Sequence, residues 1–320
     1  MPKDPAVSRE TESEHDLDLP SDGDTTPLAR EVQEALRAKR RVRFGEPMPR
    51  PTTTRVMVVA NQKGGVGKTT TTVNIAASLA QHGLRVLVID LDPQGNASTA
   101  LSIDHRRGVK STYDVLVDAT PLEDAAVPHA DIPTLSVVPA TIDLAGAEIE
   151  LVNVMSRESR LRKAITAHPR VNASGEDRLD YVLIDCPPSL GLLTLNALVA
   201  GQEMLIPIQA EYYALEGLGQ LLETVDMVKT HLNNALSVST ILITMYDART
   251  RLAAGVAEEV REHFGDQVLR TAIPRSVRVS EAPSYGQSVI TYDPSSPGAL
   301  SYVEAARELA IKGAAEGEMQ

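Results

Sequence analysis

The chain has 320 residues, a formal net charge of −12, 42% hydrophobic and only 3% aromatic residues, and one cysteine, Cys186. Such a length fits one large domain or two smaller ones around an aliphatic core. The single thiol excludes a disulfide framework within the chain, and the net acidity excludes a generally polybasic protein, so any anion or nucleic-acid site must be a focused cluster.

The N-terminal stretch MPKDPAVSRETESEHD is polar and acidic, with no apolar h-region of a secretory signal. No run of 18 apolar residues follows anywhere, so no membrane span is expected, and the lone cysteine suits a reducing, cytoplasmic setting. Residues 1–24 carry eight acidic and two basic residues and read as disordered. In 28-LAREVQEALRAKRRVRFGEP-47, Leu28, Val32 and Leu36 recur at helical spacing ahead of a basic block from Arg37 to Arg43. This segment reads as a solvated linker or as a basic arm for anionic partners. Pro47, Pro49 and Pro51 then break the chain. The expected layout is therefore a tail and linker over 1–54, a folded body over 55–314 and a short flexible end over 315–320.

From Arg55 onward, strand and helix alternate. Continuous apolar runs at 55–61, 85–90, 134–140, 180–185, 203–209, 238–246 and 268–274 read as strands buried on both faces. Helical stretches at 68–82, 215–232 and 252–264 lie between them, with Gly83 as a natural C-cap. Alternation of this kind predicts right-handed βαβ units: a three-layer α/β fold with a mostly parallel central sheet and helices on both faces.

The first strand runs into 59-VANQKGGVGKTTTT-72. The pattern G-x-x-x-x-G-K-[ST] would need glycine at 62, where Gln62 stands, and a second lysine, Lys63, precedes Lys68 by five residues. The rest fits a phosphate cradle at the carboxyl end of a strand. Gly64, Gly65, Val66 and Gly67 can turn backbone N–H groups inward, and the helix N-terminus adds partial positive charge. Lys68 is placed for the β- and γ-phosphates, the Thr69 hydroxyl for Mg²⁺, and Thr70 for the α-phosphate.

Three carboxylates sit at strand ends: Asp90 and Asp92 in 86-VLVIDLDPQGNAS-98, and Asp185 in 181-YVLIDCPPSL-190. Each could hold a magnesium-bound water or position an attacking one, and each alone could equally cap the next helix.

Together these residues resemble the ParA/MinD family of deviant Walker-A ATPases, and within it the chromosomal ParA/Soj branch. The loop 63-KGGVGKTT-70 is similar to its deviant Walker A, 90-DLDPQGN-96 to its switch I and 184-IDCPPS-189 to its Walker B. The likeness continues through 207-PIQAEYYALEGL-218, 243-ITMYDART-250 and 273-IPRSVRVSEAPSYGQ-287. It implies that Lys63 is the signature lysine that crosses to the ATP of a partner subunit. It assigns Asp92 to the hydrolytic water, Asp90 and Asp185 to the magnesium side, and Pro274 to the adenine-side loop. Gln62 then follows the pattern of the ParA branch.

The resemblance further implies an ATP-dependent homodimer that binds double-stranded DNA without sequence preference, with Arg249, Arg251, Arg275 and Arg278 as candidate contacts. A ParB-type centromere-binding protein would stimulate hydrolysis, and the protein would act on the nucleoid in the cytoplasm. The alternative is a MinD-like ATPase recruited to a membrane surface or polar scaffold. That reading needs a basic amphipathic C-terminal helix, which 307-RELAIKGAAEGEMQ-320 does not supply. A nitrogenase-type iron–sulfur reductase would need more ligating cysteines than one per chain.

Overall fold

The computed structural model describes residues 46–211 and 214–318. The expected acidic tail over 1–24 and the basic helix over 28–43 lie outside the described residues. The described residues from Pro47 onward make up one compact unit.

Seven strands form one sheet: β1 (Arg55–Val59), β2 (Val86–Asp90), β3 (Val127–Pro128), β4 (Leu135–Val138), β5 (Tyr181–Asp185), β6 (Glu203–Gln209) and β7 (Ser237–Thr244). Their spatial order is β3-β4-β2-β5-β1-β6-β7. All neighbours run parallel except β3 against β4. The expected parallel, doubly covered sheet is therefore present. The short edge strand β3 escapes sequence reading because two residues carry no periodicity, and its Pro128 suits an edge.

The run at 268–274 is not a strand. It follows β7 through isolated bridges at Ile241–Val268 and Tyr246–Pro274. Leu269 N and Ile273 N still donate to Ile241 O and Ile243 O of β7, at 2.9 and 2.8 Å, but between them Arg270 N and Thr271 N donate to the carboxylate of Glu308, at 2.8 and 3.0 Å. A side chain from the last helix thus takes the donors that a continuous ladder would need.

Helices cover both faces. The first, α1 (Lys68–Gln81), is buried on nearly every side, because its residues are small or aliphatic all round. It ends as its sequence suggests: Gly83 has φ 92, and its N–H bonds to Ala80 O. Others used below are α2 (Ala214–His231), α3 (Arg251–Phe264), α4 (Val277–Glu281) and α5 (Pro297–Glu318). Helix α5 lies on α1, with the buried Tyr302 hydroxyl 3.5 Å from that of Thr71. It continues past position 314.

Residues 48–54 are strapped to the amino-terminal end of the sheet. Met48 N donates to His82 O, the Arg50 guanidinium bonds to the buried Asp180, and the Thr54 hydroxyl donates to Leu179 O. At the opposite end, the register aligns Val59 with Asp185 and Asp90 with Asp185. Three adjoining strands, β2, β5 and β1, therefore deliver two aspartates and the glycine-rich loop to one edge, where such sheets bind ligands.

Candidate active site

The loop from Ala60 to Gly67 is held open by its surroundings. The buried Asn61 side chain donates to Pro207 O at the end of β6 and accepts from Lys63 N, at 2.8 and 3.0 Å. Farther along, Val66 O accepts from the Thr244 hydroxyl at the end of β7, at 2.8 Å. Gly65 and Gly67 have φ of 74 and 89, which a side chain would strain. Gly67 caps α1, so the helix begins with its free N–H groups facing the loop.

A cleft of about 520 Å³ lies over this turn, lined by Gly64, Gly65, Gly67, Lys68, Thr69, Thr70, Asp92, Gln94, Asn96, Pro188 and Met245. Lys68, Thr69, Thr70 and Asp92 therefore converge on one space. Lys68 is buried, and its Nζ donates to Lys63 O at 3.3 Å. Desolvation lowers its proton affinity, opposed chiefly by Asp185.

Asp90 and Asp185 sit fully buried beneath the cleft. Asp185 accepts from the Thr69 hydroxyl on Oδ2 at 2.7 Å and from the Thr72 hydroxyl on Oδ1 at 2.9 Å. Asp90 accepts from Ser98 N and Oγ on Oδ2, at 2.8 and 2.7 Å, and from Asp92 N on Oδ1 at 3.2 Å. Burial pushes the Asp185 carboxyl up to about 8, with the neighbouring Asp90 next in effect and the two threonines opposing. Burial likewise raises Asp90, against its bonds to Ser98. Two adjacent carboxylates that resist ionisation mark uncompensated negative charge. With the Thr69 hydroxyl they make a hard-oxygen donor set that fits Mg²⁺. Among the described residues no group of three or more His, Cys, Asp or Glu could hold a metal. The ion would complete its shell with water and phosphate, as Mg²⁺ commonly does.

Lys63 is not among the residues lining the cleft. Its Nζ pairs with Glu211 Oε2 at 2.7 Å, and the two side chains are 40% and 46% exposed. Pro274 is likewise absent from that lining and bridges to Tyr246, the neighbour of Met245.

The four arginines lie beyond the ends of β7 and the following segments. Arg249 is held by Asp247 through two bonds of 2.9 and 2.8 Å. Arg278 pairs with Glu281 and Asp293 at 3.2 and 3.4 Å. Arg251 and Arg275 are exposed, with no salt bridge among the described residues.

Sequence reading missed Thr72, Ser98 and Glu211. Thr72 had a signal: it stands one helical turn after Lys68 and three residues after Thr69, on the face turned to Asp185. Glu211 had none, because its partner lies 148 positions away.

A strand–loop–helix cradle with two strand-end carboxylates beneath it defines a P-loop nucleotide-hydrolysing protein. A family model described as an AAA domain matches residues 54–238. The chain is 52% identical over 259 residues to the sporulation initiation inhibitor protein Soj of Bacillus subtilis, covering 81% of this chain and 99% of that one. It is 49% identical over 255 residues to the chromosome partitioning protein ParA of Caulobacter vibrioides, covering 80% and 93%. Among solved structures, one from Mycobacterium smegmatis titled cobyrinic acid a,c-diamide synthase, with bound ADP and magnesium, has a TM-score of 0.66 at 38% identity. That match covers 79% of this chain and 93% of that one. The chain belongs to the ParA/Soj family of chromosome-partitioning P-loop ATPases.

Proposed function

We propose that this ATPase is a nucleotide-gated DNA-partition switch. ATP with Mg²⁺ occupies the cleft, two copies close face to face, and the closed dimer holds double-stranded DNA without reading its sequence. The observation that carries this reading is the different placement of the two loop lysines. Lys68 lines the chain's own cleft, whereas Lys63 stands outside it on a side chain that is partly exposed. One lysine from the same loop cannot surround a γ-phosphoryl group whose charge is spread over several oxygens. A lysine delivered by a second copy would act there as an arginine finger does.

In this reading the loop amides and Lys68 hold the phosphates, and Asp92 orients the attacking water from the wall of the cleft. Thr69, Asp90 and Asp185 are the residues that would hold the ion. A magnesium ion held there would supply positive charge against the charge that develops on the transferred phosphoryl group. Pro274 borders the adenine side. Arg249, Arg251, Arg275 and Arg278 neutralise DNA phosphates, and closure doubles their number on one surface. A ParB-type partner stimulates hydrolysis and so releases the DNA, on the nucleoid in the cytoplasm. No helix among the described residues is long and apolar enough to cross a membrane.

DNA co-sedimentation tests this reading with ATP, ADP or no nucleotide, using wild type and Arg278→Glu. Binding with ATP alone, weakened in the variant, is expected. Equal binding in all three nucleotide states would refute the switch. Lys63→Ala that still dimerises and hydrolyses ATP normally would refute the cross-subunit lysine.

A further inference from the structure

Four non-glycine residues among those described have positive φ: Ser102, Ala119, Ser156 and Met245. Met245 (φ 50) belongs to the lining of the nucleotide cleft. A strand can end in the left-handed region at modest cost, and that alone assigns nothing. Met245 is distinguished by what holds it on either side.

On its amino side, the Thr244 hydroxyl donates to Val66 O, in the middle of the phosphate loop. The Thr244 methyl and the Met245 Cε both stand 3.9 Å from where a Cβ on Gly67 would lie. On its carboxyl side, Tyr246 N donates to Ile273 O at 2.9 Å, and Tyr246 O accepts from Arg275 N at 3.1 Å. One residue further, Asp247 grips the Arg249 guanidinium, and Arg275 adds to the positive field on that carboxylate. The phosphate loop is thus joined to two of the DNA-side arginines through four consecutive residues, with the one strained backbone position of that stretch at its centre. A long unbranched side chain gains nothing from the left-handed region. Such strain persists only where the surroundings over-determine it.

We propose that the Thr244–Met245 junction is a positioning element that carries the state of the phosphate loop to Arg249 and Arg275. The inference rests on the DNA-partition reading above. Filling the loop alters the demand on Val66 O and Gly67, and Thr244 follows because it is bonded there. Met245 is the position at which the backbone relaxes or tightens, and Tyr246 passes the change to both arginine-bearing segments. Only a step that differs between ATP and ADP can shift DNA affinity, since equal contact in both states shifts nothing.

The test measures dissociation constants of the full chain for double-stranded DNA of random sequence, at fixed salt, with saturating ATP and with saturating ADP. The ratio of the two is the readout, because a merely structural defect weakens both states together. Met245→Gly abolishes the backbone strain, Met245→Ala keeps it without the thioether, and Thr244→Val removes only the bond to Val66. The ADP-to-ATP ratio is expected to fall about 3- to 30-fold in Met245→Gly and in Thr244→Val, the span of single-residue effects on coupling. Met245→Ala is expected to stay within about twofold of wild type, below that span. A Met245→Gly ratio equal to wild type, or an equal fall in Gly and Ala, overturns the relay while the switch stands. A wild type that binds DNA alike in ATP and ADP overturns the switch itself and the relay with it.

Discussion

Lys63 Nζ lies 2.7 Å from Glu211 Oε2, so the loop's extra lysine is held within its own chain by a residue just past β6. Glu211 is itself positioned by Gln209, whose amide donates to Oε1. To meet a second copy's phosphate, Lys63 must exchange this carboxylate for another anion. An exposed pair of this kind is worth about 0.2–1 kcal/mol, and a dimer breaks two of them. Glu211→Gln should therefore tighten ATP-dependent dimerisation by about 2- to 30-fold, with folding stability almost unchanged. Sedimentation velocity with ATP and Mg²⁺ measures it. A weaker dimer would show that Glu211 helps Lys63 rather than restraining it.

Thr72 bonds to the same carboxylate as Thr69, from one turn deeper in α1. Thr72→Val keeps the shape and removes a donor to Asp185, a hydrogen bond that is worth about 1.5–3 kcal/mol when the carboxylate is ionised. Hydrogen bonds to the ionised form oppose the upward shift of Asp185. Without this one, Asp185 should ionise at still higher pH. The acid limb of the ATPase pH profile should move to higher pH and the magnesium requirement should rise, with Thr72→Ser restoring both. A profile identical to wild type would show that Thr72 only fills space.

Much of this site is legible in the sequence for a physical reason. Glycines, Lys68 and Thr69 are fixed within a few positions by the geometry of a strand–loop–helix turn. Asp90 and Asp185 are marked by the apolar runs that they end. Parallel strands then bring those ends to one edge whatever the loops between them do. What stays illegible depends on long-range contacts of single side chains. Glu308 diverting the amides of Arg270 and Thr271, Glu211 holding Lys63, and Asn61 pinning the loop to Pro207 leave no local pattern. The left-handed backbone at Met245 is equally hidden, because the sequence there reads as an ordinary strand end.

The buried aspartates predict how stability depends on pH. Asp185 titrates near 8 in the folded chain, and Asp90 is also raised, both by burial first. An unfolded aspartate titrates at about 3.9. The folded state therefore binds more protons over this interval, so stability falls as pH rises from about 4 towards 8. Thermal melts without nucleotide or metal should show a falling midpoint between pH 5 and about 8, a range set by the Asp185 value. Mg²⁺ with ADP should flatten the slope by compensating both charges. A midpoint that rises across this range would show that other groups dominate.

In the proposed DNA contact the arginines differ in how free they are to meet phosphates. Arg249 is held by both oxygens of Asp247, whose carboxyl Arg249 keeps down at about 2. Arg278 is shared between Glu281 and Asp293. Non-specific affinity falls with salt as a power law whose exponent is about 0.9 per phosphate neutralised. Arg278→Ala should therefore make the log–log slope of the ATP-state dimer shallower by about 2, one contact per subunit, across all DNA sequences alike. Asp293→Asn should do the reverse in affinity, by removing an anion that competes with the phosphates, and should leave the slope nearly unchanged. DNA-binding isotherms at several salt concentrations separate the two effects. If Arg278→Ala left both slope and affinity at their wild-type values, Arg278 would be a surface ion pair with no part in holding DNA.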